Sequence, residues 1–63
     1  MAIGENIKEI RISQGMTQNE LAAALNITQS MVAQLERGTK TLTLPLGVQL
    51  TQVLHTTLDE LIK

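Results

Sequence analysis

The sequence predicts an all-α fold, a compact bundle of five short helices, and three observations carry that prediction. Aliphatic residues recur at helical spacing along most of the chain. Four threonines, Thr17, Thr28, Thr43 and Thr57, stand just ahead of such runs, where a hydroxyl can accept from the first free amides of a helix. Phe, Tyr and Trp are all absent. The core must therefore come from Leu, Ile, Val, Met and Ala, which suits packed helices better than a sandwich. The length of 63 residues allows one domain, 1–63. A chain this short buries only roughly 60% of the surface it exposes when unfolded, so modest stability is expected.

The first helix is expected over residues 3–13. Ile3, Ile7 and Ile10 form its inward stripe, and Glu5, Lys8 and Glu9 fill the outer side. Ile12 falls off the stripe as a lone exposed aliphatic. Gly15 is placed to end the helix in the left-handed conformation, with Met16 tucked under the corner.

The second and third helices, 17–25 and 28–36, are joined by a tight turn. Thr17 and Glu20 make a Thr-x-x-Glu capping box, and Leu21, Ala22 and Leu25 face inward. Asn26 tolerates the left-handed conformation, so the chain can turn there and Ile27 can fill the corner. Thr28 caps the next helix. Its apolar positions are Val32 and Leu35, which leaves Gln29, Ser30, Ala33, Gln34 and Arg37 on the opposite side. That side is polar and almost uncharged, a surface suited to hydrogen bonding against something flat and polar.

After Gly38 the segment 39–43 reads as a loop. A fourth helix over 43–54 starts at Thr43, with Pro45 in the first turn where a missing amide costs nothing. Leu44, Val48, Leu50 and Leu54 supply its apolar positions. Gly47 lies inside this helix at a cost of about 1 kcal/mol relative to Ala, so a neighbour packs against it or the helix is locally weak. His55 stands where the helix should end, as a left-handed cap residue near the negative end of the helix dipole. Thr57 and Glu60 repeat the capping box for a last helix over 57–62, built on Leu58, Leu61 and Ile62.

Composition narrows the function. With no cysteine there is neither a disulfide framework nor a thiolate metal site, in keeping with a reducing cytoplasm. One histidine, no glycine-rich phosphate loop and no facing carboxylate pair leave nothing from which to assemble a catalytic site. No enzyme, cofactor or metal is expected. The longest apolar run, Leu21 to Leu25, falls far short of the roughly 20 residues of a membrane helix, so no membrane partner is expected. The net charge of −1 is unusual for a nucleic-acid binder, although Arg37 and Lys40 fall just after the third helix.

The pattern Thr17-Gln18, Leu21-Ala22, Leu25, Ile27-Thr28, Val32, Leu35-Glu36, Gly38 resembles the helix-turn-helix of the phage repressor and Cro family, the XRE type. The match spans nearly the whole chain at about a dozen positions. The resemblance implies a lambda-repressor-like domain that binds double-stranded DNA sequence-specifically, as a transcriptional regulator and a repressor. Its third helix would lie in the major groove. Carried over position by position, Gln29, Ser30, Ala33 and Gln34 would read bases. Gln18, Arg37, Thr39, Lys40, Thr41 and Thr43 would contact phosphates. Arg11 and Glu36 would form a structural ion pair between the first and third helices. A homodimer on DNA would meet through Thr56, Leu58 and Ile62. In relatives, position 47 tends to carry a larger apolar residue and position 55 a glycine, so this chain departs from the pattern at both. The alternative is an antitoxin-type module that also binds its own operator, with a toxin as protein partner held by the exposed aliphatics Ile12, Leu46 and Val53.

Overall fold

The computed structural model describes residues 3–63, so the first two residues of the expected domain lie outside the described residues. Five helices follow one another: α1 (Ile3–Ser13), α2 (Gln18–Leu25), α3 (Gln29–Arg37), α4 (Leu44–Val53) and α5 (Leu58–Ile62). No strand occurs among the described residues. Among the described residues no helix is long and apolar enough to cross a membrane.

Each of α2 to α5 begins one residue later than the sequence suggested. The residue ahead of it is a threonine in extended conformation whose hydroxyl accepts the third amide of the helix, so Thr17, Thr28, Thr43 and Thr57 are caps and not helical residues. At the other ends, α3 continues to Arg37, while α4 stops at Val53 with Leu54 as its cap. The turns after α1 to α4 share one closing device. Gly15, Asn26, Gly38 and His55 all take positive φ, and the residue after each donates its amide to a carbonyl five residues back. The four bonds run from Met16 to Arg11, Ile27 to Ala22, Thr39 to Gln34 and Thr56 to Thr51.

The box at Thr17 is complete, since the Glu20 carboxylate accepts the Thr17 amide at 2.8 Å and the Thr17 hydroxyl accepts the Glu20 amide at 3.0 Å. The box expected at Thr57 is only half made. Its hydroxyl accepts the Glu60 amide, but the Glu60 carboxylate turns instead to the Lys63 ammonium, 2.8 Å away. A full positive charge one turn along outcompetes a neutral backbone amide. The hydrogen bond to Glu60, and then its charge, holds the Lys63 ammonium above the ordinary lysine range.

The core is wholly aliphatic: Ile7, Leu21, Ala22, Leu25, Val32, Leu50, Leu54 and Leu61 are buried together. α3 packs on α1 and α2, α4 on α2, and α5 on α1 and α4. The fourth helix faces inward differently from expectation. Leu44 is 70% exposed and Val48 41% exposed, while Gly47 and Leu50 are buried and Leu46 and Val53 pack against the core. The inward stripe thus runs through positions 46, 47, 50, 53 and 54, and a glycine occupies its first turn. The same rotation removes Leu46 and Val53 from the aliphatics available to a protein partner and leaves Ile12.

Three polar or small side chains fix how the elements meet. A β-carbon on Gly4 would lie 2.4 Å from the Glu36 carbonyl oxygen and 2.6 Å from that of Leu35, so only glycine lets α1 cross the end of α3 this closely. Asn6 donates its amide to the carbonyls of Leu61 (2.8 Å) and Lys63 (3.1 Å), tying α5 to α1. Gln14 donates to the Leu54 carbonyl at the end of α4. By contrast, a β-carbon on Gly47 would meet Leu58 Cδ2 at 3.5 Å and Leu42 Cδ2 at 3.7 Å, which is ordinary van der Waals contact.

Candidate nucleic-acid interface

The candidate interface is built on α3. Thr28 sets its start by accepting the Met31 amide, and left-handed Gly38 ends it. Val32, Leu35 and Glu36 are buried on its inner side. Positions 29, 30, 33, 34 and 37 are spaced to share the opposite side. Gln29, Ser30 and Arg37 are exposed there, and Ala33 and Gln34 are half-buried.

Beneath this face lies a chain of hydrogen bonds that begins in the interior. Arg11, buried on α1, donates Nε to Glu36 Oε2 at 2.7 Å, Nη2 to Glu36 Oε1 at 3.2 Å and Nη1 to the Met16 carbonyl at 2.7 Å. Both members of the pair are only 8% exposed. Burying two charges is costly unless their remaining hydrogen-bonding capacity is met, and here all three guanidinium nitrogens are used. The structure thus places Arg11 and Glu36 in direct contact across the α1–α3 junction.

The chain continues outward. Gln18, the first residue of α2, donates Nε2 to Glu36 Oε1 at 2.9 Å and accepts on its Oε1 from Nε2 of Gln29, the first residue of α3, at 2.6 Å. A candidate phosphate contact and a candidate base reader are therefore bonded to each other and, through Glu36, to Arg11. The sequence contained no period or motif from which the Gln18–Gln29 bond could be read. It depends on the turn at Asn26, which brings the starts of α2 and α3 side by side.

The other candidates surround α3 in two groups. Thr39 donates its hydroxyl to the Gln34 carbonyl at 3.3 Å, and Thr43 caps α4. Lys40 and Thr41 are exposed between them. Thr56, Leu58 and Ile62 lie away from α3, in and just before α5. Thr56 is half-buried, while Leu58 and Ile62 are exposed and border an apolar groove shared with Ile3, Leu42, Leu44 and Gly47. Leu61 faces the other way, into the core. No group of metal-ligating side chains occurs among the described residues.

The profile of the helix-turn-helix family matches residues 7–61. Among solved structures, the chain is similar to the restriction-modification controller protein C.AhdI from Aeromonas hydrophila, with a TM-score of 0.91 and 28% identity over 97% of this chain and 92% of that one. It is also similar to the clp gene regulator ClgR from Corynebacterium glutamicum in two structures. One gives a TM-score of 0.92 at 26% identity, covering 97% of this chain and 65% of that one. The other gives 0.90 at 26% identity, covering 97% and 79%. Comparison with curated protein sequences finds no match. The left-handed turn between two threonine-capped helices, the buried pair beneath the second of them and the family match over residues 7–61 agree: the chain belongs to the helix-turn-helix family of DNA-binding transcriptional regulators, in its phage repressor and Cro-like (XRE) branch.

Proposed function

We propose that this chain is a sequence-specific repressor that lays α3 in the major groove of double-stranded DNA, as a dimer on a two-fold-related site. The observation that carries the reading is the outer face of α3, where Gln29 is already held by Gln18 while charged Glu36 is turned inside. A glutamine amide carries a donor and an acceptor side by side, the complement of what adenine shows in the major groove, and each good bidentate contact discriminates by about 1 to 3 kcal/mol. Gln29 and Gln34 read adenine on this account. Ser30, shorter and able to donate or accept, reads between them, and the Ala33 methyl meets a thymine methyl.

Phosphates are held mainly by uncharged donors. Gln18 keeps one N–H, the first amides of α2 and the Leu44 amide of α4 add backbone donors, Thr41 and Thr43 add hydroxyls, and Thr39 adds its own on leaving the Gln34 carbonyl; helix starts bind anions through such amides and the dipole. Of the five basic side chains, Arg11 is buried against Glu36, Lys63 is paired with Glu60 and Lys8 is exposed on α1, so Arg37 and Lys40 supply the charge at the end of α3 and just after it. Few cations release few counterions. The logarithm of affinity should fall with that of salt less steeply than about −8 for a dimer, at about −0.9 per neutralised phosphate.

Selection of binding sites from random duplexes tests the whole reading. The wild type should select a two-fold-related sequence. Gln29→Ala and Gln34→Ala should each relax one base pair per half-site while leaving the melting temperature nearly unchanged. If both variants select the wild-type sequence, α3 is not the reader; if the selected site lacks two-fold symmetry, the dimer through Thr56, Leu58 and Ile62 is wrong.

A further inference from the structure

Glu36 accepts more than its ion pair requires. Its Oε1 accepts one hydrogen bond from Arg11 Nη2 and another from Gln18 Nε2. A carboxylate has no hydrogen to give, so the end of the Gln18 amide that faces it has to be the nitrogen. That fixes the other end: the Gln18 oxygen is turned to Gln29, and Gln29 must meet it with its own nitrogen, as it does at 2.6 Å.

We infer that Glu36 sets the hydrogen-bond polarity of the reading face, dictating through Gln18 which end of the Gln29 amide is nitrogen and which is oxygen. The inference rests on the major-groove reading above and adds what that reading leaves open, the order of donor and acceptor. A free glutamine amide presents either order, because its oxygen and nitrogen ends are nearly the same shape. With one N–H committed to Gln18, Gln29 keeps one N–H and its oxygen, which match the acceptor and donor of adenine. Reversed, it would give its oxygen to Gln18 and turn its nitrogen outward, toward the two acceptors that guanine shows. Glu36 is thus a positioning residue that biases one base pair without touching DNA.

Glu36→Gln tests this by putting a donor where only acceptors stood. Arg11 has only donors, and its Nε bond of 2.7 Å is shorter than its Nη2 bond of 3.2 Å, so the amide oxygen stays on Nε and the new amide nitrogen takes the other position, giving up the Nη2 bond and facing Gln18. Gln18 must answer with its oxygen, and the polarity reverses as far as Gln29. The double variant Glu36→Gln with Gln18→Glu returns an acceptor-only group beside Gln29 at the wild-type net charge. The measurement is relative affinity, at one salt concentration, for duplexes that differ only at the Gln29 base pair or only at the Gln34 base pair.

Glu36→Gln should lose about tenfold or more of its preference for adenine at the Gln29 pair, the scale of one bidentate contact, and keep its preference at the Gln34 pair. The double variant should regain the loss. Full preference in Glu36→Gln, or no recovery in the double variant, overturns the inference. Gln29→Ala separates the two layers: if it leaves preference intact, the base reading has failed, and the relay is then judged in the free protein. There Glu36→Gln must still shift the side-chain NH2 resonances of Gln29, which it does not touch, and unmoved resonances overturn the relay. Should Glu36→Gln fail to fold, Gln18→Met cuts the relay and leaves the ion pair whole. It should lose the same preference at an unchanged melting temperature, and retained preference overturns the inference.

Discussion

The two halves of this molecule are held together by different physics. Around α2 and α3 the ties are directional: a complete capping box at Thr17, a buried bidentate pair between Arg11 and Glu36, and glutamines bonded end to end up to the surface. Around α4 and α5 the side-chain ties to the rest of the fold are those of Asn6 and Gln14 to backbone carbonyls, and the remainder is apolar contact. Leu44, Val48, Leu58 and Ile62 face outward, a glycine lies inside α4, the box at Thr57 is half made, and a histidine takes the left-handed turn. A left-handed L-residue costs roughly 1 to 2 kcal/mol, which a glycine at position 55 would avoid. Hydrogen bonds fix angles and burial does not. Angular precision is concentrated in the half that carries the proposed base-reading face.

Breaking the directional half should cost most. Arg11→Met leaves Glu36 as an unpaired buried carboxylate and strands the Met16 carbonyl, and loss of one partner of such a pair costs about 3 to 5 kcal/mol. In a domain of this size each 1 kcal/mol moves the melting temperature by about 4 to 8 °C, so thermal unfolding followed by circular dichroism reads the effect directly. An unchanged melting temperature would show that the polar half is not held as described.

One substitution made in each half sharpens the contrast, because its sign should differ. Gly4→Ala drives a methyl into the carbonyls of Glu36 and Leu35, which are backbone and cannot swing aside. Overpacking of that kind costs about 1 to 3 kcal/mol. Gly47→Ala meets only the ends of two leucines at contact distance and removes the glycine penalty, so it should stabilise by up to about 1 kcal/mol. Denaturant titration of both variants checks the pair. Destabilisation by Gly47→Ala would mean that the apolar half is as closely fitted as the other.

The same division explains what was legible beforehand. Threonine caps and left-handed turn residues are local signals, so Thr17, Asn26, Thr28 and His55 could be read from their neighbours. A helix face is also local, but only while its residues have side chains. Gly47 belongs to the inward stripe of α4 and contributes nothing to its hydrophobicity, which drew the expected stripe toward Leu44 and Val48. Leu42, a single aliphatic among loop threonines and a lysine, packs on the core with no periodic pattern to reveal it. Gly4 acts by what it lacks, and Asn6 and Gln14 act on carbonyls 40 or more residues away. At the interface, the identities of the glutamines suggested hydrogen bonding. Their bond to each other and to Glu36 exists only once α1, α2 and α3 have met.

The wholly aliphatic core has an optical consequence. With no Phe, Tyr or Trp anywhere in the chain, the protein has no aromatic chromophore, and neither absorbance nor circular dichroism in the near-ultraviolet has a side-chain component. In a complex those signals belong to the stacked bases alone. A change on binding would report unstacking, twisting or bending of the duplex, the deformations by which a protein senses base pairs it does not touch. The complex can therefore be interrogated from the DNA side with no label on either molecule.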